Sequence, residues 1–127
     1  HEDMRQITET LRYNHTVLFT HDMPVEHKHF SFANFFNIPA ATNTAISRFA
    51  RMSKAEVIPV TVQRRENYKG YNLIFESPLP GFPGKDIETD TQRINLLIER
   101  WVDRVPSQYG WCFPRFRVRP EGEPRFY

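Results

Sequence analysis

Residues 89–105, "TDTQRINLLIERWVDRV", form the longest helical pattern in the chain. Apolar side chains recur there at spacings of three and four residues, which places them in one stripe along a helix. The stripe consists of Ile94, Leu97, Ile98, Trp101 and Val102. The opposite face is charged and consists of Arg93, Glu99, Arg100 and Asp103. Pro106 follows and cannot continue a helix, so the pattern predicts an amphipathic helix that ends at Val105.

Upstream of this helix, the sequence predicts two shorter helices and a strand. Residues 2–14 have Met, Ile and Leu at helical spacing and end on Asn14, a common stop signal. The apolar, β-branched run "TVLFT" at 16–20 predicts a buried strand. A second helix is expected to begin near Thr42 or Asn43, both good N-cap residues. Its predicted buried face consists of Ala45, Ile46, Phe49 and Ala50.

Between the second and the longest helix, two further strands are predicted. They lie within residues 55–65 and 71–77, and the segment that joins them supplies Asn67 and Gly70 as turn residues. An antiparallel hairpin is therefore expected. Residues 77–86, "SPLPGFPGKD", predict a loop without regular structure. The alternation of helices with strands predicts the α/β class.

Composition limits the function classes. The 127 residues suffice for one domain, and 39% hydrophobic content with eleven Phe excludes a disordered chain. A net charge of +2 does not by itself indicate a nucleic-acid partner. Cys112 is the single cysteine, which excludes an internal disulfide and a zinc site of several thiolates. We expect Cys112 to be a packed core residue in a reducing compartment.

The sequence has no apolar run near the ~20 residues that span a bilayer, and we expect no signal peptide in it. We therefore expect that these residues do not cross a membrane. The chain begins at His1 inside a predicted helix, so an upstream part of the protein is also expected.

The histidine-rich stretch at 20–32, "THDMPVEHKHFSF", follows the predicted strand directly. In an extended segment His27 and His29 would place both rings on the same side, and His21 or Asp22 could complete a metal site. His21 and Glu26 have the H-x-x-x-x-E spacing of an acyltransferase base and its orienting carboxylate. A solvated polar loop is the third interpretation, and the spacing alone does not choose among the three.

The C-terminal segment "PRFRVRPEGEPRFY" at 114–127 alternates arginines with apolar residues. In an extended chain Arg115, Arg117 and Arg119 would share one face, where their guanidiniums suit phosphates or carboxylates. With Phe116 and Phe126 as stacking surfaces, the segment would bind an anionic polymer. A charged edge strand that discourages aggregation explains the alternation equally well.

Four blocks together resemble one family. "PSQYGWCFPRFRVRPEGEPRFY" at 106–127 is similar to the "PEQYLWLHRRFKTRPEGEP" signature of the bacterial lipid A biosynthesis lauroyl/myristoyl acyltransferases. The blocks at 38–60, 68–83 and 2–22 also resemble that family: "IPAATNTAISRFARMSKAEVIPV", "YKGYNLIFESPLPGFP" and "EDMRQITETLRYNHTVLFTHD". The match covers essentially all of the chain in order.

The resemblance implies an enzyme that moves a fatty acyl chain from acyl carrier protein to a hydroxyl of a lipid A precursor. It implies work at the cytoplasmic face of the inner membrane, without a cofactor, a metal or a nucleic-acid partner. The implied fold is a mixed sheet flanked by helices, like that of the glycerol-phosphate acyltransferases, and residues 1–127 would be the C-terminal part of its single domain. The family's H-x-x-x-x-D/E dyad and membrane anchor lie upstream of the aligned blocks, so this chain alone is expected to be inactive.

The resemblance also implies site residues. Asp22 keeps the first aspartate of the family's "PDqD" loop and would orient the acceptor or a neighbouring base. Thr42 and Thr44 would open the second helix towards substrate, although N-capping alone explains Thr42. Further substrate contacts, to phosphates or to acidic groups of the carrier, are expected from Arg48, Arg64, Arg115 and Arg117. The signature departs from the family at Phe113 and Pro114, which replace a histidine and an arginine.

Overall fold

The structure is a computed structural model that describes residues 2–23, 25 and 29–127. Within these residues the chain forms three α-helices and two antiparallel pairs of strands. The helices are α1 (Glu2–Arg12), α2 (Ala45–Ser53) and α3 (Ile87–Arg104). The strands are β1 (Phe30–Phe35), β2 (Ile38–Asn43), β3 (Val60–Arg64) and β4 (Tyr71–Phe75). The expected mixture of helices and strands is confirmed.

The longest predicted helix is confirmed as α3, which begins two residues earlier than expected. Asp86 is its N-cap and accepts hydrogen bonds from the Thr89 backbone N–H at 2.7 Å and the Thr89 hydroxyl at 2.9 Å. Those bonds lower the pKa of the exposed Asp86 carboxyl below its usual value. Ile94, Ile98 and Val102 pack in the core with Phe35 of β1 and Ala40 of β2, two strands that form a hairpin. The apolar stripe of α3 therefore anchors that hairpin.

The β1–β2 hairpin is absent from the sequence predictions. Phe35 pairs with Ile38, and the two-residue turn between them, Phe36 and Asn37, has positive φ at both positions (49° and 62°). This backbone suits the right-handed twist of a tight hairpin. Ala33 and Phe35 alternate with exposed neighbours and are buried. The aromatic run thus forms a strand with one buried face.

Two predictions upstream of α2 are wrong. Residues 16–20 have no regular structure, although Phe19 packs edge-on against Phe49 with ring centroids 6.2 Å apart. Thr42 and Asn43 do not begin a helix, because both pair with β1 as the last residues of β2. The helix begins at Ala45, with Thr44 as its N-cap. Pairing between strands has therefore overridden a local capping signal.

The predicted β3–β4 hairpin is confirmed, with Val62 opposite Leu73 in its register. Asn67 and Gly70 have positive φ in the connecting turn, as expected of turn residues. Residues 77–86 form a loop as predicted. Cys112 is exposed, so its expected place in the core is wrong. None of the helices in the described ranges is both long and apolar enough to cross a membrane.

Candidate functional site

The Arg115 guanidinium is buried against β2, and the residue is only 5% exposed. Its Nη1 donates to the Ala41 carbonyl oxygen at 3.2 Å. Its Nη2 donates to the Thr42 hydroxyl and to Asn95 Oδ1, each at 3.0 Å. One arginine therefore joins the C-terminal segment to both β2 and α3.

The Thr42 hydroxyl uses its full hydrogen-bonding capacity in this cluster. It donates to the Ala40 carbonyl oxygen at 3.0 Å and accepts from Arg115 and from Asn95 Nδ2, also at 3.0 Å. A hydroxyl has one donor and two acceptor sites, so none remains. Thr42 is 0% exposed. Its hydroxyl holds Arg115 and α3 in place rather than facing open solvent.

Arg115 has a buried positive charge with neutral partners. Among the described residues no carboxylate lies within ion-pair distance of it, and the Phe35 ring lies 5.5 Å from its Cζ. Burial lowers the pKa of Arg115, and the charges of Tyr109 and Asp22 oppose that effect. The Nε of Arg115 is buried and has no hydrogen-bond partner among the residues that the structure describes. The cation therefore retains an unused donor.

His21 is buried near Arg115, and both of its ring nitrogens lack a hydrogen-bond partner among the described residues. Burial, followed by the charge of Arg115, lowers the pKa of His21 to about 4. The imidazole is therefore neutral at pH 7. Because a neutral ring has one donor and one acceptor nitrogen, His21 offers both kinds of hydrogen bond at this place.

Asp22 and Tyr109 complete this group, which we call the Arg115 cluster: His21, Asp22, Thr42, Asn95, Tyr109 and Arg115. Burial raises the pKa of Tyr109 to about 12, with the Asp22 charge as the next cause, and Arg115 acts in the opposite direction. Asp22 thus lies close enough to act electrostatically on both Tyr109 and Arg115. Three predicted site residues, Asp22, Thr42 and Arg115, therefore meet in one region.

Thr44 and Arg48 form a separate group around His29. The Thr44 hydroxyl donates to the His29 carbonyl oxygen at 3.0 Å, and Arg48 Nη1 donates to His29 Nδ1 at 2.9 Å. Thr44 is buried, while Arg48 is partly exposed. The contact ties the start of α2 to the start of β1.

Arg64 lies on the other hairpin, where its backbone N–H and carbonyl bond to the Gln108 side chain at 2.7 and 3.0 Å. Arg64 lines an open surface pocket together with Arg65, Glu66 and Lys69. No contact among the described residues joins the Arg64 side chain to the Arg115 cluster. Arg64 is thus a surface cation at a different edge of the structure.

The expected extended face of three arginines is wrong. Residues 110–119 form a series of turns rather than a strand. Arg115 points into the core, Arg117 is exposed, and Arg119 lies over the Phe126 ring at 4.5 Å and donates to the Pro39 carbonyl oxygen. Phe116 packs against the core. Turns at prolines and aromatic packing have sent the guanidiniums in different directions, so they present no common surface to an anionic polymer.

No three His, Cys, Asp or Glu side chains converge as metal ligands within residues 2–23, 25 and 29–127. His27 and Glu26 lie outside the described residues, so neither the predicted His21/His27/His29 set nor the His21/Glu26 pair can be drawn. His29 and His21 have different surroundings, one bonded to Arg48 and the other buried near Arg115.

Sequence reasoning missed Asn95 and Tyr109. Asn95 is 0% exposed, and its Nδ2 also donates to the Ala33 and Asn34 carbonyl oxygens at 3.3 and 3.1 Å. It stands between Ile94 and the rest of the apolar stripe of α3, and a polar residue in a buried stripe is a signal for a hydrogen-bonded core. Tyr109 had no such signal.

A second buried polar group, the Asp90 cluster, consists of Ser47, Arg51, Gly84, Asp90 and Arg93. Asp90 is 0% exposed. It accepts hydrogen bonds from the Ser47 hydroxyl at 2.6 Å, the Gly84 N–H at 2.7 Å and Arg51 Nη2 at 3.4 Å. Arg93 Nη1 lies 4.0 Å from Asp90 Oδ1. A Cβ at Gly84 would lie 3.1 Å from Asp90 Oδ1, so this cluster is tightly closed.

Comparison with known proteins gives a consistent result. The model of the bacterial lipid A biosynthesis acyltransferase family matches residues 1–118. The chain is 33% identical over 126 residues to the lipid A biosynthesis palmitoleoyltransferase of Escherichia coli K12, covering 98% of this chain and 41% of that protein. It is 32% identical over 127 residues to the lauroyltransferase of the same organism, covering 99% and 42%. The chain therefore spans about two-fifths of the length of these relatives.

Proposed function

Because the chain belongs to the bacterial lipid A biosynthesis acyltransferase family, as its motifs predict, we propose that it forms part of an enzyme that acylates a lipid A precursor. The acyl chain comes from acyl carrier protein and is transferred to a hydroxyl of the precursor. The reaction takes place at the cytoplasmic face of the inner membrane. Residues 1–127 are the C-terminal part of a single domain with the fold of the glycerol-phosphate acyltransferases.

The chemistry requires a base that takes the proton from the acceptor hydroxyl as the hydroxyl attacks the thioester carbonyl. In this proposal a histidine and its carboxylate partner supply that base from a part of the protein outside residues 1–127. The 127-residue chain alone therefore has no useful transfer activity. Its own contribution is to hold the acceptor and to shape the electrostatics beside the base.

The observation that carries this proposal is the set of unused hydrogen-bonding groups at the Arg115 cluster. Buried polar groups in proteins are nearly always satisfied, so an unpaired Arg115 Nε and an unpaired His21 ring call for a partner. The sugar hydroxyls and phosphates of a lipid A precursor offer both donors and acceptors. Asp22, beside these groups, acts as a positioning residue that orients the acceptor or the neighbouring base.

The other predicted contacts have supporting roles. Arg48 and Thr44 both bond to His29 and so fix the N-terminal end of α2. In this proposal an anionic group of the acceptor approaches that end of the helix. Arg117 is exposed beyond the cluster, and Arg64 is exposed on the second hairpin. These two suit acidic groups on the surface of the carrier protein better than they suit a buried phosphate.

The test uses the longest reading frame that encodes residues 1–127, purified with Asp22→Asn, Arg115→Lys and the control Asp103→Asn on the exposed face of α3. Acyl transfer from labelled acyl carrier protein to a lipid A precursor is measured. Asp22→Asn is expected to lower kcat by roughly 10- to 100-fold, because misplacing a reacting group has an effect of that order. Arg115→Lys is expected to raise KM for the acceptor, since lysine cannot keep three directed bonds and still offer a fourth.

The control variant should retain full activity and the same melting temperature. A folded wild-type protein with no acyl transfer to any lipid A precursor would overturn the proposed reaction. Full activity in both Asp22→Asn and Arg115→Lys would leave the reaction standing and remove the Arg115 cluster from it.

A further inference from the structure

The turn at residues 110–114, "GWCFP", has an exposed aromatic surface. Trp111 is 58% exposed and Phe113 is 42% exposed. Cys112, which lies between them in the sequence, is exposed as well. None of the five residues in the turn carries a charged, amide or hydroxyl side chain. We call Trp111 and Phe113 together the aromatic ridge.

Trp111 is held in place although its ring is exposed. Its Nε1 donates to the Pro106 carbonyl oxygen at 2.8 Å. The ring packs edge-on against Tyr109, with centroids 4.9 Å apart, and its centroid lies 6.3 Å from that of Phe36. Because the one polar atom of the indole is already bonded within the protein, the exposed part of the ring is hydrocarbon. A ring that is fixed in advance loses little entropy when a ligand covers it.

Gly110 makes room for the second ring of the ridge. A Cβ at Gly110 would lie 2.8 Å from Phe113 Cδ2 and 3.0 Å from Phe113 Cε2, which is too close for an ordinary contact. The family signature that this segment resembles has leucine at position 110 and histidine at position 113. The glycine and the phenylalanine therefore depart from the signature as a pair, since a ring in this place excludes a side chain at position 110.

The aromatic ridge adjoins the Arg115 cluster through Tyr109. The Tyr109 ring contacts Trp111, and in the cluster burial, followed by the charge of Asp22, raises the pKa of Tyr109 to about 12. The same cluster contains the unpaired Arg115 Nε and His21 ring. Ligand sites commonly combine a few polar groups with an apolar surface, and an amphipathic ligand needs both.

We propose that the aromatic ridge binds a hydrocarbon chain of the lipid acceptor, while the Arg115 cluster holds the acceptor's polar groups. The inference rests on the proposed function and adds the residues that select the acceptor. A histidine and an arginine, as in the signature, would suit an anionic group at positions 113 and 114. Phe113 and Pro114 instead shift the preference of this chain towards hydrocarbon.

A hydrocarbon chain fits the ridge better than a sugar ring or a membrane surface does. A sugar ring that stacks on tryptophan also needs partners for its hydroxyl groups, and no side chain at 110–114 offers a strong one. Surfaces that bind membranes usually combine aromatic residues with exposed cations that face anionic lipids. Here Pro114 occupies the position of the signature's arginine, and Arg115, the next cation along the chain, is buried.

The test measures how a bromine atom at the end of a hydrocarbon chain quenches tryptophan fluorescence on contact. It uses the longest reading frame that encodes residues 1–127. The acceptor probe is dodecyl phosphate brominated at its last carbon, below its critical micelle concentration. The donor probe is the pantetheine thioester of dodecanoic acid brominated at the same place. Trp111→Phe identifies the signal that comes from Trp111, and Tyr68→Ala, at a 96% exposed aromatic residue of the β3–β4 turn, is the matched control.

Brominated dodecyl phosphate is expected to quench the wild type and Tyr68→Ala equally, and Trp111→Phe markedly less. Shortening the chain by two carbons should raise the Kd roughly 4- to 15-fold, because each methylene group removed from water contributes up to a factor of about four. Phe113→His should weaken this dependence on chain length at an unchanged melting temperature. Gly110→Leu should do the same, and adding it to Phe113→His should cause no further loss, since the two changes act on one contact.

Several outcomes would overturn the proposal. One is a folded protein in which no quenching comes from Trp111. Another is quenching by the thioester alone, which would assign the ridge to the donor chain, or by vesicles of brominated phospholipid alone, which would assign it to the membrane. Protection of Trp111 from acrylamide, a water-soluble quencher, would show that the ridge is covered by other parts of the polypeptide or by a second copy.

The chain-length dependence of the Kd in Phe113→His provides a second measurement if Trp111→Phe does not fold. None of these measurements requires turnover. Quenching without acyl transfer would therefore overturn the proposed reaction and leave the hydrocarbon site standing. Acyl transfer without quenching would overturn the role of the aromatic ridge alone.

Discussion

The two buried polar clusters of this molecule differ in how completely their groups are paired. In the Asp90 cluster a carboxylate accepts bonds from a hydroxyl, a backbone N–H and a guanidinium, and a second guanidinium stands nearby. In the Arg115 cluster a cation is held by neutral oxygens, with its Nε and the nearby His21 ring left unpaired. Complete pairing is typical of architecture, whereas a buried group with spare bonding capacity is typical of a site that binds something.

The location of the two clusters supports the same distinction. The Asp90 cluster fastens the 77–86 loop to α2 and α3, and Arg51 and Arg93 add bonds to the carbonyl oxygens of that loop. The Arg115 cluster includes His21 and Asp22, which follow residues 16–20, a stretch without regular structure. Substitutions in the Asp90 cluster should therefore mainly lower the stability of the fold. The Arg115 cluster should in addition respond to pH and to a bound ligand.

The largest expected effect is on the Asp90 cluster. Asp90→Ala should lower the free energy of unfolding by about 3 to 5 kcal/mol, because it leaves the Ser47 hydroxyl and the Gly84 N–H unpaired and removes the charge that two arginines face. Chemical denaturation of the 127-residue chain measures this, with the exposed Asp103→Asn as control. A loss below that of Arg115→Met would contradict the assignment of the two clusters.

The next effect concerns pH and belongs to His21. Its pKa is lowered from 6.5 to about 4 in the folded protein, so the unfolded chain binds the proton first as pH falls. Stability is therefore full above pH 6.5 and declines as pH drops towards 4, with about 2 kcal/mol lost by pH 5. The difference between wild type and His21→Gln at pH 7 and pH 5 isolates this contribution. A pH slope in His21→Gln identical to that of the wild type would refute the prediction.

The third effect, similar in size to that of His21, is expected at Arg115. Arg115→Met keeps much of the apolar stem and removes a buried charge, so the lost bonds to Ala41, Thr42 and Asn95 are partly offset by the relief of desolvation. We expect a destabilisation of about 1 to 3 kcal/mol, measured against the exposed control Arg100→Met. A loss in the free energy of unfolding as large as that of Asp90→Ala would show that Arg115 mainly stabilises the fold, as Asp90 does.

Much of the fold follows from local patterns. The α3 stripe, the α1 periodicity and the β3–β4 turn are all predicted, because each depends on spacing within one segment. The β1–β2 hairpin was missed because Thr42 and Asn43 have the side chains of N-cap residues, whereas in the structure they pair with Ser31 and Phe30 of β1. Residues 16–20 failed for the same reason in reverse, since an apolar run becomes a strand only where a partner strand exists.

The candidate site was predicted in part. Asp22, Thr42 and Arg115 were named from the family resemblance, and the structure brings them into one region, although the role of each remains a prediction. The buried His21 ring and the full pairing of Asn95 depend on contacts between segments far apart in sequence, such as Arg115 with Ala41. Alternation alone suggested an arginine face that the turns at 110–119 do not form.

By itself the sequence determined the family, the amphipathic helices and the mixed α/β class, because motifs and periodicity are properties of single segments. Only the tertiary structure decided that the buried Asp90 carboxylate is fully hydrogen-bonded while Arg115 keeps an unpaired Nε. It also decided that the apolar side chains Val62, Leu73 and Phe75 of β3 and β4 are exposed. Pairing, burial and desolvation depend on what lies next to a group in space, and residues 40 or more positions apart along the chain provide those neighbours here.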